Sequence, residues 1–262
     1  MDLKSLIRKK AESAPPRILI YTTPGWGKTT TAASMPNAIF IDAEDGMMGL
    51  DVDSFPTVTD YDEIETYIRA LIEQDHGYKT LVLDTMSSIE KLIWAKVCKD
   101  HNKPSIESFG YAKGYVHAMT YWEKILGGLE ILRKKGVAPV LLAHSEVKVF
   151  NSPIVDAYDK YILKLHRHPA NRLTEWCDLI LFGDHKVVVK KEGEGFNKTS
   201  KGIGQGQRVL YTEERPAFLA KSRMELPFEI EVSKADGWAA VAQHLDSKNN
   251  KINATKQETT NE

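Results

Sequence analysis

Apolar residues follow two rhythms along this chain. Strand-like runs at Arg17 to Tyr21, Ala38 to Asp42, Thr80 to Asp84 and Ala138 to Ala143 are nearly unbroken, as in strands buried on both faces. Between them, apolar positions recur at helical spacing over Lys28 to Ser34, Tyr61 to Gln74, Ser88 to Asp100 and Tyr111 to Lys135, with Gly136 placed to end the last helix. Strand and helix alternate at the spacing of βαβ units, which predicts a largely parallel sheet. Later runs, Leu179 to Phe182, His185 to Lys191, Gly206 to Tyr211 and Phe218 to Lys221, are short or alternating with glycine-rich breaks, and predict antiparallel strands. The expected fold is α/β, with a mostly parallel central sheet flanked by helices and an antiparallel C-terminal extension.

The ends differ from this core. Asp2 to Glu12 reads as a short amphipathic helix that Pro15-Pro16 stops. Asp246 to Glu262 is polar and lacks aromatic residues, the composition of a disordered tail. The expected organisation is an N-terminal helix over 1–14, one core over 15–245 and a tail over 246–262.

With 262 residues and 42% hydrophobic content, the chain is long enough for one large α/β core. A net charge of −1 excludes a wholly basic nucleic-acid coat, so any polyanion site is a local patch. Cys98 and Cys177 lie in apolar segments without C-x-x-C spacing, which speaks against a cysteine metal site or a disulfide framework and suits a reducing cytosol. Met1 to Ser13 is highly charged, and no run approaches the roughly 18 apolar residues that span a bilayer. No membrane partner is expected.

The strand Arg17-Ile18-Leu19-Ile20-Tyr21 leads into Thr22-Thr23-Pro24-Gly25-Trp26-Gly27-Lys28-Thr29. Small residues let successive backbone N–H groups converge on phosphate oxygens, and the helix that follows adds its dipole. The spacing points to a nucleoside-triphosphate site with binding residues Thr23, Pro24, Gly25, Trp26, Gly27, Lys28, Thr29 and Thr30. Lys28 is placed to reach the outer phosphates and the Thr29 hydroxyl to ligate Mg²⁺. The pattern G-x-x-x-x-G-K-[ST] departs at its first position, where Thr22 replaces glycine. Trp26 has two readings, a cover for nucleotide or partner and a ring packed on the scaffold.

Carboxylates stand at the ends of two later strands. In parallel α/β sheets those ends face the ligand crevice, so Asp84 should lie beside Thr29 and hold Mg²⁺. Asp42, Glu44 and Asp45 stand at the end of the earlier strand Ala38 to Asp42, just after the helix that follows the phosphate loop. Glu44 is the preferred base for an attacking water, with Asp42 and Asp45 as alternatives. His144 ends Pro139-Val140-Leu141-Leu142-Ala143 and is either a sensor of the γ-phosphate or an ordinary hydrogen-bonded residue.

This order of segments resembles the RecA family, and most of all the compact RecA-like ATP-binding proteins of bacteriophages grouped with single-strand annealing proteins. The resemblance spans about Arg17 to Val232. It implies a RecA-like P-loop core that binds ATP and Mg²⁺, with Thr22 to Thr29 as Walker A, Leu81 to Asp84 as the Walker B strand and Glu44 as catalytic glutamate. His144 departs from the glutamine of RecA at the matching strand end. Ser105 to Tyr115 matches the first DNA-binding loop, and the stretch after His144 matches the second. Ala220-Lys221-Ser222-Arg223 is similar to the segment whose basic pair reaches ATP across a subunit interface, which makes Lys221 and Arg223 candidate trans-acting cations.

Composition adds two basic stretches. Glu146 to Arg172 carries Lys148, Lys160, Lys164, Arg167 and Arg172 with Tyr158 and Tyr161 interleaved; Lys186 to Arg208 is basic and glycine-rich. Such stretches suit single-stranded DNA, with cations on phosphates and aromatic faces under bases, and they also suit a solvated loop. Phe109, Tyr111, Lys113 and Tyr115 carry the same two readings. With the resemblance, Lys113, Lys148, Lys160, Lys164, Arg167 and Arg172 are the expected DNA contacts. The implied function is a cytosolic ATPase that assembles on single-stranded DNA as a homo-oligomer, with a single-strand-binding protein as a further partner, and promotes annealing or strand exchange. The alternative is an ATP-switched assembly or loader protein that touches no DNA.

Overall fold

The computed structural model describes residues 14–192 and 199–245. The expected helix at Asp2 to Glu12 and the tail from Asp246 lie outside them. In chain order the elements are β1 (Ile18–Thr22), α1 (Lys28–Ala33), β2 (Ala38–Asp42), β3 (Asp53–Ser54), α2 (Tyr61–Glu73), β4 (Thr80–Asp84) and α3 (Met86–Asp100). A 3₁₀ turn (Ile106–Phe109), α4 (Lys113–Lys134), β5 (Ala138–Phe150), β6 (Tyr158–Leu163) and α5 (Arg167–Trp176) follow. The chain continues through β7 (Leu179–Glu192), β8 (Thr199–Tyr211), β9 (Lys221–Ser222) and β10 (Glu229–Glu231).

The main sheet runs β10-β8-β7-β1-β5-β4-β2-β3. From β7 to β3 every pairing is parallel, while β8 and β10 extend the sheet antiparallel. This is the expected α/β architecture, with β5 inserted between the phosphate-loop strand β1 and the Asp84 strand β4. Each central strand divides its side chains between two cores, because successive residues point to opposite faces. Leu19, Tyr21, Leu81, Leu83 and Leu141 pack with Ile64, Ile93, Trp122 and Leu129 of α2, α3 and α4. Ile18, Ile20, Val82, Val140 and Leu142 pack with Ala32, Met35, Trp238 and Val241 on the other face. Each such side chain contributes about 1.5–3 kcal/mol by leaving water, so the central strands are the most strongly held part of the chain.

Local signals set the helix ends. Asp60 Oδ1 accepts the Glu63 N–H at 3.1 Å while Glu63 Oε2 accepts the Asp60 N–H at 3.3 Å, a reciprocal cap that starts α2. Gly136 takes φ 91° just past α4, a left-handed turn that a side chain would strain.

Some expectations are corrected. β5 does not stop at Ala143 but runs on to Phe150 and forms a ribbon with β6, pairing Ser145 with Leu163 and Phe150 with Tyr158. The stretch read as a DNA loop is thus largely strand, followed by α5. The run at Phe218 is an isolated bridge to Tyr161, with β9 only at Lys221–Ser222. β8 begins at Thr199 rather than Gly206 because it pairs with β7 along most of its length.

Adjacent glycines of α4 give a direct packing test. A Cβ on Gly128 would overlap Ile68 Cγ2 of α2 at 2.6 Å, whereas nothing lies within 4 Å of one on Gly127. Gly127→Ala is expected to raise stability by about 0.5–1 kcal/mol through helix propensity, and Gly128→Ala to lower it by about 1–3 kcal/mol through overpacking. Urea denaturation of the two variants checks the opposite signs.

Candidate active site

In-register pairing brings the strand ends into one row. Thr22 of β1 lies opposite His144 of β5, Asp84 of β4 opposite Leu142, and Asp42 of β2 opposite Asp84. The loop after β1 therefore rises beside the acidic ends of β2 and β4. Within it Gly25 (φ 75°) and Gly27 (φ 101°) adopt left-handed backbone, where other residues are penalised. The Thr31 N–H donates to the Gly27 carbonyl at 3.0 Å and opens α1.

Strands β7 and β8 seat this loop. The Thr23 N–H donates to Gly183 O at 3.2 Å and its hydroxyl to Asp184 Oδ1 at 3.0 Å. The Trp26 indole N–H donates to Asp184 O at 3.0 Å, and the ring is 1% exposed. Of the two readings of Trp26, a cover for the nucleotide is not the one its ring adopts: burial and the Asp184 bond fix it on the scaffold between β7 and the loop. Arg208 of β8 donates to Trp26 O at 3.0 Å with its guanidinium 5.5 Å from the indole centroid. Thr22, at the departing motif position, is the buried last residue of β1. Gly183 leaves room for it, since a Cβ there would meet Thr22 Cγ2 at 2.7 Å.

Thr29 Oγ1 donates to Asp84 Oδ2 at 2.6 Å, and Lys28 Nζ stands 3.9 Å from Asp84 Oδ1. Asp84 is 4% exposed, and burial pushes its carboxyl above the usual range against the opposing pull of Thr29 and Lys28. Its Oδ1 accepts no hydrogen bond among the described residues. A buried acidic oxygen without a donor, on a carboxylate whose other oxygen is 2.6 Å from the Thr29 hydroxyl, fits a hydrated Mg²⁺. Among the described residues no group of three or more His, Cys, Asp or Glu side chains is placed to hold a metal. The ion would therefore take its other oxygens from phosphate and water.

Glu44 has a different environment. Its Oε1 accepts from Thr85 Oγ1 at 2.5 Å, Ser88 Oγ at 2.9 Å and His144 Nε2 at 2.9 Å. The His144 hydrogen bond first, then those of Thr85 and Ser88, outweigh partial burial and lower its carboxyl to about 2. Asp42, an alternative base, is buried and its Oδ1 accepts the Glu44 N–H at 2.9 Å. Asp45, the other, is exposed in left-handed backbone. Beyond Glu44 lies a recess of about 370 Å³ bordered by Ser88, Trp94, Lys164 and His166. Glu90 on its floor is pushed up to about 7 by burial, although the His166 N–H donates to it.

The structure does not gather every expected residue. Lys221 donates to Thr174 O at 2.7 Å and Arg223 to Asp178 Oδ1 at 2.7 Å, so within the chain both cations have partners of their own, away from the phosphate loop. Lys160 pairs with Glu214 and lies against the Phe150 ring, and Arg172 forms a two-pronged pair with Glu123. Lys148 is 2.8 Å from Glu146. Lys113, Lys164 and Arg167 are exposed at the starts of α4 and α5 and at the β6 end. The aromatics offered as stacking faces are mostly packed: Tyr115 stacks on His166 at 4.0 Å, Tyr161 on Phe182 at 5.0 Å, and Phe109 lies 5.5 Å from His101. Tyr111 is 99% exposed.

Thr85, read from the sequence as a group that orients Asp84, instead donates to Glu44, and Ser88, Asp184 and Arg208 are parts of the site that motif reasoning did not assign. Asp184 had a usable signal, a carboxylate just beyond an apolar strand, the same cue that singled out Asp84. For Arg208 no local signal exists.

A family model described as AAA domain matches residues 14–224. The chain belongs to the AAA domain family. It is therefore a nucleotide-binding P-loop ATPase in class. A search of curated proteins finds no match to this AAA-domain chain. Among solved structures, a KaiC-like protein from the hyperthermophilic archaeon Pyrococcus horikoshii aligns over 83% of this chain and 85% of that one, at 14% identity and a TM-score of 0.38. No helix among the described residues is long and apolar enough to cross a membrane.

Because the folded state lowers the Glu44 carboxyl from 4.5 to about 2, its contribution to stability is present above about pH 4.5 and is lost as pH falls towards 2. The wild-type AAA-domain protein is expected to lose stability more steeply across that window than Glu44→Gln. Paired denaturation curves between the two pH values measure the difference.

Proposed function

We propose that this protein is a Mg²⁺-dependent, RecA-like ATPase that binds single-stranded DNA and promotes annealing or strand exchange in phage recombination, acting in the cytoplasm as a homo-oligomer. One observation carries the reading. His144 bonds Glu44 at 2.9 Å and stands where β5 leaves the main sheet to become the β5–β6 ribbon, so one residue joins the water-facing carboxylate to the segment proposed to meet DNA.

In this reading the Thr23 to Thr30 loop, through the N–H groups of Gly25 and of Gly27 to Thr30, and the Lys28 ammonium hold the phosphates, and Thr29 and Asp84 hold Mg²⁺. When bound, the ion neutralises charge on the outer phosphates. Glu44 Oε1 is held by three donors, and Oε2 accepts a hydrogen bond from the attacking water and then its proton. Lys148, Lys164, Arg167 and Lys113 meet phosphates of the strand, while Lys160 and Arg172 contribute only by leaving their carboxylate partners. Lys221 and Arg223 act on a neighbour's ATP by exchanging Thr174 and Asp178 for it. A single-strand-binding protein is a further proposed partner.

A second reading has its own support. The ribbon exposes Val149 (63%), Ile154 (87%) and Val155 (58%), an apolar tip that suits a protein partner as an ATP-switched loader would need.

ATP turnover with and without single-stranded DNA at low salt tests the choice. The leading reading expects stimulation by DNA, loss of nucleotide binding in Lys28→Ala, and retained binding with turnover down at least a hundredfold in Glu44→Gln. Mixing Arg223→Ala with Lys28→Ala protein should restore part of the activity if sites form between subunits. Flat DNA titrations alongside a partner captured only with ATP select the loader.

A further inference from the structure

A cavity of about 1020 Å³ opens beside the phosphate loop, touching Gly25, Gly27 and Thr30 but none of Lys28, Thr29, Asp84 or Glu44. Arg208 of β8, against the loop, also lines it, with Glu231, Ser233, Lys234 and Asp236 at and past the end of β10. The volume lies at the upper end of the range of small-molecule sites. Thr29 and Asp84 mark where the outer phosphates and their cation belong, so a nucleotide seated there has this cavity for its other end.

Arg208 is 8% exposed, unusual for an arginine. Among the described residues its guanidinium contacts are one hydrogen bond to Trp26 O and the Trp26 ring. Its Nη1 crowds Gly27 so closely that a Cβ there would overlap it. A guanidinium carries five N–H donors, and a buried cation with so few acceptors among the described residues is expensive unless an anion completes it.

We propose that Arg208 is a positioning residue for the nucleotide, holding the phosphate loop through Trp26 and donating its remaining N–H groups to the α-phosphate, while the nucleoside lies in the cavity between Arg208 and the residues after β10. The proposal rests on the nucleotide-binding reading of the loop and adds the subsite on its other side. Arginine suits the task because its planar fork serves a carbonyl and a phosphate at once, whereas lysine serves as a point charge. The α-phosphate is common to ATP and ADP, so the effect must be the same for both.

Calorimetric titration of Mg·ATP and Mg·ADP into wild type, Arg208→Met, Arg208→Lys and Lys28→Ala, each first shown folded by its melting curve, tests this. Arg208→Met is expected to weaken ATP and ADP by the same factor, about tenfold, and Arg208→Lys to recover part of it. A merely structural role lowers the melting temperature and leaves both affinities of the folded protein unchanged, which overturns the proposal; so does a loss confined to ATP. If Lys28→Ala also binds ATP like wild type, the nucleotide reading of the loop itself fails, a result distinct from the failure of Arg208 alone.

Discussion

The register of four buried parallel strands holds the whole site in place, because Glu44, Asp84, Thr22 and His144 come from distant parts of the chain and meet only where β2, β4 and β1 end and β5 leaves the main sheet. Glu44 and His144 are 100 positions apart. A slip of one residue in β5 would turn His144 to the opposite face and remove its bond to Glu44. Close packing of each strand between two cores opposes that slip, since every Leu and Val of the strand would have to repack in the core on the other face. Packing energy far larger than any single hydrogen bond thus fixes the geometry of a handful of polar atoms.

The phosphate loop depends on the same sheet from the other side. β7 and β8 add Asp184, Gly183 and Arg208, which grip Thr23 and Trp26. Trp26 gives the loop a buried anchor, and the two left-handed glycines either side of it let the backbone bend round that anchor. The antiparallel extension therefore shapes the nucleotide site as well as widening the sheet. Its length also explains why β8 starts earlier than its composition suggested.

Parts of this were legible in the residues. β2 and β4 coincide with their expected limits because each is a short apolar run closed by an aspartate. Asp84 beside Thr29 follows from the rule that strand ends face the crevice. β5 was cut short because beyond Ala143 polar His144, Glu146 and Lys148 alternate with Val147 and Val149, a two-stranded ribbon pattern that charge made look like a loop. Arg208 was counted with a basic stretch because composition cannot tell a solvated cation from a buried one, and its partner Trp26 lies 182 positions away. The pairing of Lys160 with Glu214 and of Arg172 with Glu123 was illegible for the same reason, since both carboxylates are remote in sequence.

In the reading proposed above, Thr29, Asp84 and Glu44 form one hydrolytic centre at the C-terminal ends of the central strands. A structure of the protein with Mg²⁺ and a non-hydrolysable ATP analogue measures it most directly. The expected result is the ion about 2.1 Å from Thr29 Oγ1, with Asp84 in its hydration shell, a water between Glu44 and the terminal phosphate, and the nucleoside against Arg208. A metal held away from Thr29 and Asp84, or a terminal phosphate out of reach of Glu44, would contradict it.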